Sequence, residues 1–188
     1  MTYKIGVIAE DDTDVEVVRE LINKLAHGKV FSIKKFAANG CGKLIGKCHQ
    51  WSIQLRERGC NLLIVLHDLD ERQVNQLKQQ LENALNNSPI IKRIVVIPIK
   101  EIEAWLLSDH QAIERAMNLK QKVTRVANPE SIADPKKYLG DIIYLKSGKI
   151  KHYLTNDNPK IAKKIDLLNL RRCSSFIPFE NFINTNMT

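Results

Sequence analysis

The sequence predicts an α/β fold in which a parallel sheet carries helices on both faces, and three observations point there. The runs YKIGVIA, NLLIVL and RIVVIPI are nearly continuous apolar stretches, the pattern of strands covered on both faces rather than the alternation of a half-exposed strand. Between them lie longer segments whose apolar residues recur at helical spacing, so strand and helix alternate along the chain. Carboxylates follow these runs: Glu10 and Asp14 after the first, Asp68 and Asp70 after the second, Glu103 after the third. Parallel strands end at one edge of their sheet, so residues just beyond them converge on a common crevice.

The elements follow in order. A strand is expected over 3–9, then a helix over about 14–26, capped by Asp12 or Thr13 and buried through a stripe of Val15, Val18, Leu21, Ile22 and Leu25. A strand over 30–36 comes next; its sequence VFSIKKF is more mixed, which places it nearer a sheet edge. Helix 43–57, strand 61–67, helix 71–86, strand 93–99 and helix 101–117 complete the alternation, with Trp105 and Leu106 on the core face of the last helix. Beyond residue 118 the periodicity weakens, Pro and Gly scatter and lysines accumulate, which predicts short helices packed beside the sheet. A stripe of Ile161, Ile165, Leu168 and Phe176 predicts that the C-terminal segment docks. The chain therefore divides into an α/β domain over 1–118 and a basic, mostly helical extension over 119–188 packed on it.

The 188 residues, 44% hydrophobic and 27% charged, have the composition of an ordinary globular domain, and no run approaches the roughly 20 apolar residues of a membrane span. The segment MTYKIGVIAEDD has no basic lead, long apolar stretch or cleavage site, so no signal peptide is expected there and the cytoplasm is the expected compartment. Cys41, Cys48, Cys60 and Cys173 lack zinc-site spacing and are expected as free thiols. A net charge of +8 suits a polyanionic partner such as nucleic acid, though many proteins carry this much charge for solubility alone. Lys163, Lys164, Arg171 and Arg172 are candidates for contacts to a nucleic-acid backbone, against a plain solvated face for any single one.

A glutamate followed by an Asp-x-Asp pair at strand ends suits Mg²⁺ or Mn²⁺, hard cations that favour oxygen ligands. Asp68 and Asp70 flank Leu69, and strand alternation can send both side chains to one side. Glu10 on a neighbouring strand can share their ion, or act as general acid or base. The plain alternative is helix capping, which is the preferred reading for Asp11 and Asp12. By the same alternation His67 should face away from Asp68 and be a packing or polar-satisfied residue rather than a ligand. Lys100 can steady charge on a phosphate, or form a salt bridge to the acidic cluster. The segment ANGCGKLIGK lacks the P-loop order yet can hold a phosphate at a helix start.

The segments IAEDDTDVEVVRELI and LIVLHDLDERQ resemble the first motif and the Asp-x-Asp motif of Toprim domains, over roughly 1–117. IPIKEIEAWLLSD and IAKKIDLLNLRRCSSF resemble, more narrowly, small stand-alone Toprim-like proteins encoded beside AAA or ABC-type ATPases in anti-phage defence loci, related to the overcoming-lysogenization-defect nucleases. The resemblance implies that Glu10 is the catalytic glutamate, that Asp68 and Asp70 hold metal, and that Asp14, Glu101 and Glu103 add further acids. Within a helix Glu101 and Glu103 would lie about 200° apart, so at most one, preferably Glu103, faces the site if the helix has begun. Asp11 departs from the Toprim pattern, where Gly is usual. The function implied is a Mg²⁺- or Mn²⁺-dependent nuclease acting on DNA or RNA, with catalytic residues Glu10, Asp68, Asp70 and Lys100, as the effector of a defence system with an ATPase partner. Two rivals are a non-catalytic Toprim-like binding or regulatory subunit and a receiver-like phosphoacceptor domain, whose acids and lysine Asp11, Asp12, Asp68 and Lys100 imitate.

Overall fold

The structure, a computed structural model, describes residues 2–38 and 43–187. Most of the glycine-rich part of ANGCGKLIGK, residues 39–42, lies outside the described residues, and with it the Cys41 thiol. Four parallel strands, β1 (Tyr3–Ala9), β2 (Phe31–Ala37), β3 (Leu62–Leu66) and β4 (Arg93–Val96), form a sheet in the order β2-β1-β3-β4. The helices are α1 (Asp12–Leu25), α2 (Lys43–Glu57), α3 (Val74–Ala84), α4 (Glu103–Leu106), α5 (His110–Met117), α6 (Pro135–Lys146), α7 (Asn158–Lys164), α8 (Leu167–Leu170) and α9 (Ile177–Asn186). No helix among the described residues is long and apolar enough to cross a membrane.

Strand alternation divides the core between the two faces of the sheet. Ile5, Val7, Leu62, Ile64, Leu66 and Val96 pack with α1 and the C-terminal helices, whereas Ile8, Leu63, Val65 and Val95 pack with α2 and α3. All five residues of β3 are buried, while β2 keeps Lys34 and Lys35 exposed, as its mixed sequence predicts for an edge. Gly6 lets α2 come close: a Cβ there would sit 2.9 Å from Leu55 Cδ1. The chain leaves β1 for β2 on one side and returns to β3 on the other, so its order reverses between β1 and β3, and a crevice opens beyond their C-terminal ends.

Several boundaries differ from the sequence expectation. Leu69 N and Asp70 N still bond to Pro98 O and Lys100 O beyond β4, but Pro98 has no N–H to return, and regular pairing ends at Val96. α3 starts at Val74 rather than 71. The helix expected over 101–117 is two, because buried Asp109 caps α5: its Oδ1 accepts from Gln111 N (3.0 Å) and Ala112 N (3.1 Å). Asp11, not Asp12 or Thr13, caps α1, and Asp12 pairs instead with Lys35 at 3.0 Å.

The C-terminal extension shares the core instead of resting on a finished one. Leu139, Ile143, Ile161, Phe176, Phe179 and Ile183 belong to the same apolar cluster as β1 and α1. Ile161, Ile165 and Phe176 are buried as their stripe predicts, but Leu168 is 70% exposed. Trp105 sits at the junction, edge-on to Phe176 at 5.4 Å, its Nε1 donating to Ser175 Oγ at 2.7 Å. Cys48, Cys60 and Cys173 are free and buried.

Candidate functional site

The crevice beyond β1 and β3 is lined by acids from three loops. Glu10, Asp11 and Asp14 come from the β1–α1 junction, Asp68 and Asp70 from the segment after β3, and Glu101 and Glu103 from the turn into α4; Thr13, Lys136 and Thr155 complete a cavity of about 200 Å³. Local structure sets each position. Asp11 Oδ1 accepts from Thr13 N at 2.7 Å and Asp14 N at 3.0 Å while Asp14 Oδ2 accepts from Asp11 N, a reciprocal capping box that turns α1 immediately after Glu10. Asp70 adopts a left-handed backbone, φ +51, which breaks strand alternation there. Because α4 begins only at Glu103, Glu101 precedes the helix and the angular objection to both acids facing one site does not apply.

Glu10 is held from two directions. Its Oε1 accepts from Asp68 N at 3.0 Å and lies 2.7 Å from His67 Nδ1, which is also 2.7 Å from Asp68 O. The fully buried His67 therefore touches the site, contrary to the expectation from strand alternation; β3 ends at Leu66, and the irregular segment that follows no longer obeys a period of two. Arg72 Nη1 approaches His67 Nε2 at 3.4 Å. Burial works to raise the pKa of Glu10, but the hydrogen bond and charge of His67, helped by Asp68 N–H and Arg72, hold it below its ordinary value.

The neighbouring acids shift the other way. Burial, then the charges of Asp11, Glu103 and Glu10, push Asp14 up to about 8. Burial, then Asp14, Glu103, Glu10 and Asp70, raise Asp68 well above the carboxylate range. Burial and Glu10 raise Asp70, and burial and Glu103 raise Glu101. Glu103 is tied to the extension: Tyr153 Oη lies 2.8 Å from its Oε1 and 2.6 Å from Asn158 Oδ1, and Asn158 Nδ2 donates to the same Glu103 oxygen at 3.0 Å. Glu101 Oε2 accepts from Lys136 N at 3.0 Å.

Lys100 is not part of this cleft. Its backbone is left-handed, φ +64, and its Nζ pairs with exposed Glu71 at 2.9 Å, an acid outside the cluster to which a salt bridge was expected. The C-terminal basic residues stand apart as well. Lys163 O accepts from Lys24 Nζ at 2.8 Å and Lys164 O from Arg115 Nη2 at 3.1 Å, so both lysines sit by the C-terminal end of α1, about 18 Å along that helix from its start at the cleft. Arg171 is bound to Glu180 at 2.8 Å, and the guanidinium of Arg172 serves the carbonyls of Ser108, Val126 and Ala127. Arg172 is thus a structural tie. Lys136, Tyr153, Thr155 and Asn158 are the site residues that sequence reasoning missed; they lie in a segment without periodicity, and no motif marks them.

Whether the cleft suits a divalent cation is testable on its own atoms. Asp68 Oδ1 is buried and has no hydrogen-bond partner among the described residues, in a cleft where four further carboxylates raise its proton affinity. An orphaned buried acceptor among like charges fits a missing cation. Among the described residues no three or more acid, imidazole or thiol side chains form a finished metal cage. Mg²⁺ needs none, since it keeps several waters and is commonly held by one or two carboxylates. The donor set is all oxygen and fits the group.

A protein-family model described as a domain of unknown function, DUF4276, matches residues 9–184. Neither a curated protein nor a solved structure matches the chain. The family match spans most of the chain, from the end of β1 through α9, so the protein belongs to the DUF4276 family.

Proposed function

We propose that this DUF4276 protein is a Mg²⁺- or Mn²⁺-dependent nuclease that hydrolyses phosphodiester bonds of DNA or RNA. The observation that carries the reading is the buried Asp68 Oδ1, without a hydrogen-bond partner among the described residues, in a cleft lined by acids from three loops. Asp68 and Asp70, with Glu10 and Asp14 beside them, would hold the ion; Glu101 and Glu103 flank that set. When bound there the ion supplies an activated water and stabilises charge developing on phosphate. Glu10, kept ionised by His67 and Asp68 N–H, acts as a ligand more readily than as a proton acceptor, because a lowered pKa makes a weak base. Lys136, the cation among the described residues lining the cleft, neutralises a non-bridging phosphate oxygen. By its resemblance to small Toprim-like proteins the chain acts in the cytoplasm as the effector of an anti-phage system, licensed by an AAA or ABC-type ATPase.

The test is cleavage of plasmid DNA, single-stranded DNA and total transfer RNA with Mg²⁺ or Mn²⁺, comparing wild type with Glu10→Ala and Asp68→Ala, alone and with a co-encoded ATPase. Metal-dependent cleavage lost in both variants supports the proposal. Cleavage that survives both variants sinks it. A second reading, a non-catalytic binding subunit, draws on the unfinished metal cage among the described residues; metal binding without cleavage, even with the ATPase present, favours it.

A further inference from the structure

The acid cleft does not end at Lys136. It adjoins an open groove of about 670 Å³ with which it shares Glu101, Lys136 and Thr155, and that groove in turn shares Gly140, Asp141 and Tyr153 with a third hollow of about 300 Å³. The wall of this path is one face of α6, since Lys137, Gly140, Asp141 and Tyr144 follow the i, i+3, i+4, i+7 spacing. At Gly140 the helix comes close to Tyr153: a Cβ there would stand in ordinary contact with it, 3.6 Å from the ring. At the far end the exposed rings of Tyr144 and His152 meet, centroids 5.2 Å apart and tilted by 32°. Lys137 to Tyr144 is about 10 Å along the helix.

We propose that this groove is the track along which a single-stranded nucleic acid enters the acid cleft, with Lys136 and Lys137 taking backbone phosphates and Tyr144 and His152 stacking on an unpaired base. The proposal deepens the nuclease reading and rests on it for the direction of entry. Its chemistry is that of single-strand binding generally, a cationic track combined with aromatic faces. A duplex is a poor occupant, because its base faces are already stacked and Asp141 at the groove wall repels a second row of phosphates. The other two acids of the groove are engaged at α6: Asp134 caps it, its Oδ1 accepting from Lys137 N at 2.8 Å, and Glu101 Oε2 accepts from Lys136 N at 3.0 Å. The wider setting is favourable: residues 119–188 hold thirteen lysines and arginines against six acids.

The experiment is fluorescence anisotropy of the full chain in EDTA, with an end-labelled single strand as DNA and as RNA and the matched DNA duplex. Wild type is compared with Tyr144→Ala/His152→Ala, whose side chains are exposed, and with Lys137→Ala. The double variant should weaken single-strand binding about tenfold or more and leave duplex binding unchanged; the arm that loses more, DNA or RNA, identifies the sugar preferred. Lys137→Ala should weaken both single strands and flatten their salt dependence. Single-strand affinity unchanged in the double variant, an equal loss on duplex, or no wild-type preference for the single strand would overturn the groove. Since no metal is present, the result stands apart from catalysis: selective binding without cleavage sinks the nuclease reading alone, and cleavage with unselective binding sinks the groove alone.

Discussion

Replacing Asp14 by Asn removes one charge from the crowded acid cleft while leaving an oxygen to accept from Asp11 N, so the capping box that starts α1 survives. The folded chain holds the Asp14 proton up to a pH of about 8, against an ordinary value of 3.8. Below about pH 4 both the folded and unfolded chains carry that proton, and Asn has nothing to gain. From there to pH 8 the unfolded chain has released it and the folded chain has not, so wild-type stability falls as pH rises. Each unit is about 1.4 kcal/mol, which sets a ceiling of about 5 kcal/mol at pH 8. Relaxation of the structure around the charge and screening by solvent reduce this, and a gain of about 1–3 kcal/mol is expected. Urea unfolding of wild type and Asp14→Asn in EDTA at pH 4.5, 6 and 8 measures it. The variant should match wild type at pH 4.5, exceed it progressively toward pH 8, and lose its advantage in saturating Mg²⁺. A difference that is independent of pH, or a variant less stable at pH 8, refutes the account of crowded carboxylates.

Three further outcomes follow from the geometry. His67→Leu removes the hydrogen bond and charge that hold Glu10 down, so the acid limb of a cleavage pH profile should move to higher pH; an unmoved limb would mean His67 only packs. Tyr153→Phe deletes the hydroxyl that bridges Glu103 and Asn158 and should cost about 1–2 kcal/mol in denaturant unfolding, with an unchanged midpoint showing the bridge to be idle. Trp105→Ala empties the junction among Phe176, Phe179 and Ser175 and should cost about 3–5 kcal/mol, read as a drop in Tm.

The sheet and the acids were legible in the sequence because both obey simple rules. Strands covered on two faces must be apolar throughout, and parallel strands must release their loops at one edge, so the sequence alone brings Glu10, Asp68, Asp70 and Glu103 together. The rules failed where the chain leaves regular structure. His67 was assigned to the wrong face because alternation stops at Leu66, and the helix over 101–117 divides because a buried aspartate, Asp109, outcompetes continuation by capping the next turn. Tyr153, Asn158 and Lys136 were invisible for another reason: they reach the cleft by tertiary packing of a segment whose short helices carry no strong pattern.

The cleft is assembled from residues that lie far apart in the chain, and the order of synthesis gives this a consequence. A chain growing from its N-terminus has made all seven acids of the cleft by Glu103, but Lys136, Tyr153, Thr155 and Asn158 are still to come. Until they emerge, the acids stand in water, where their repulsion is screened and their affinity for a cation is low. Closing the last wall takes the acids out of water and raises their demand for a counter-ion. If the cleft holds metal as proposed, its full metal affinity is thus expected only once Lys136, Tyr153, Thr155 and Asn158 have joined it.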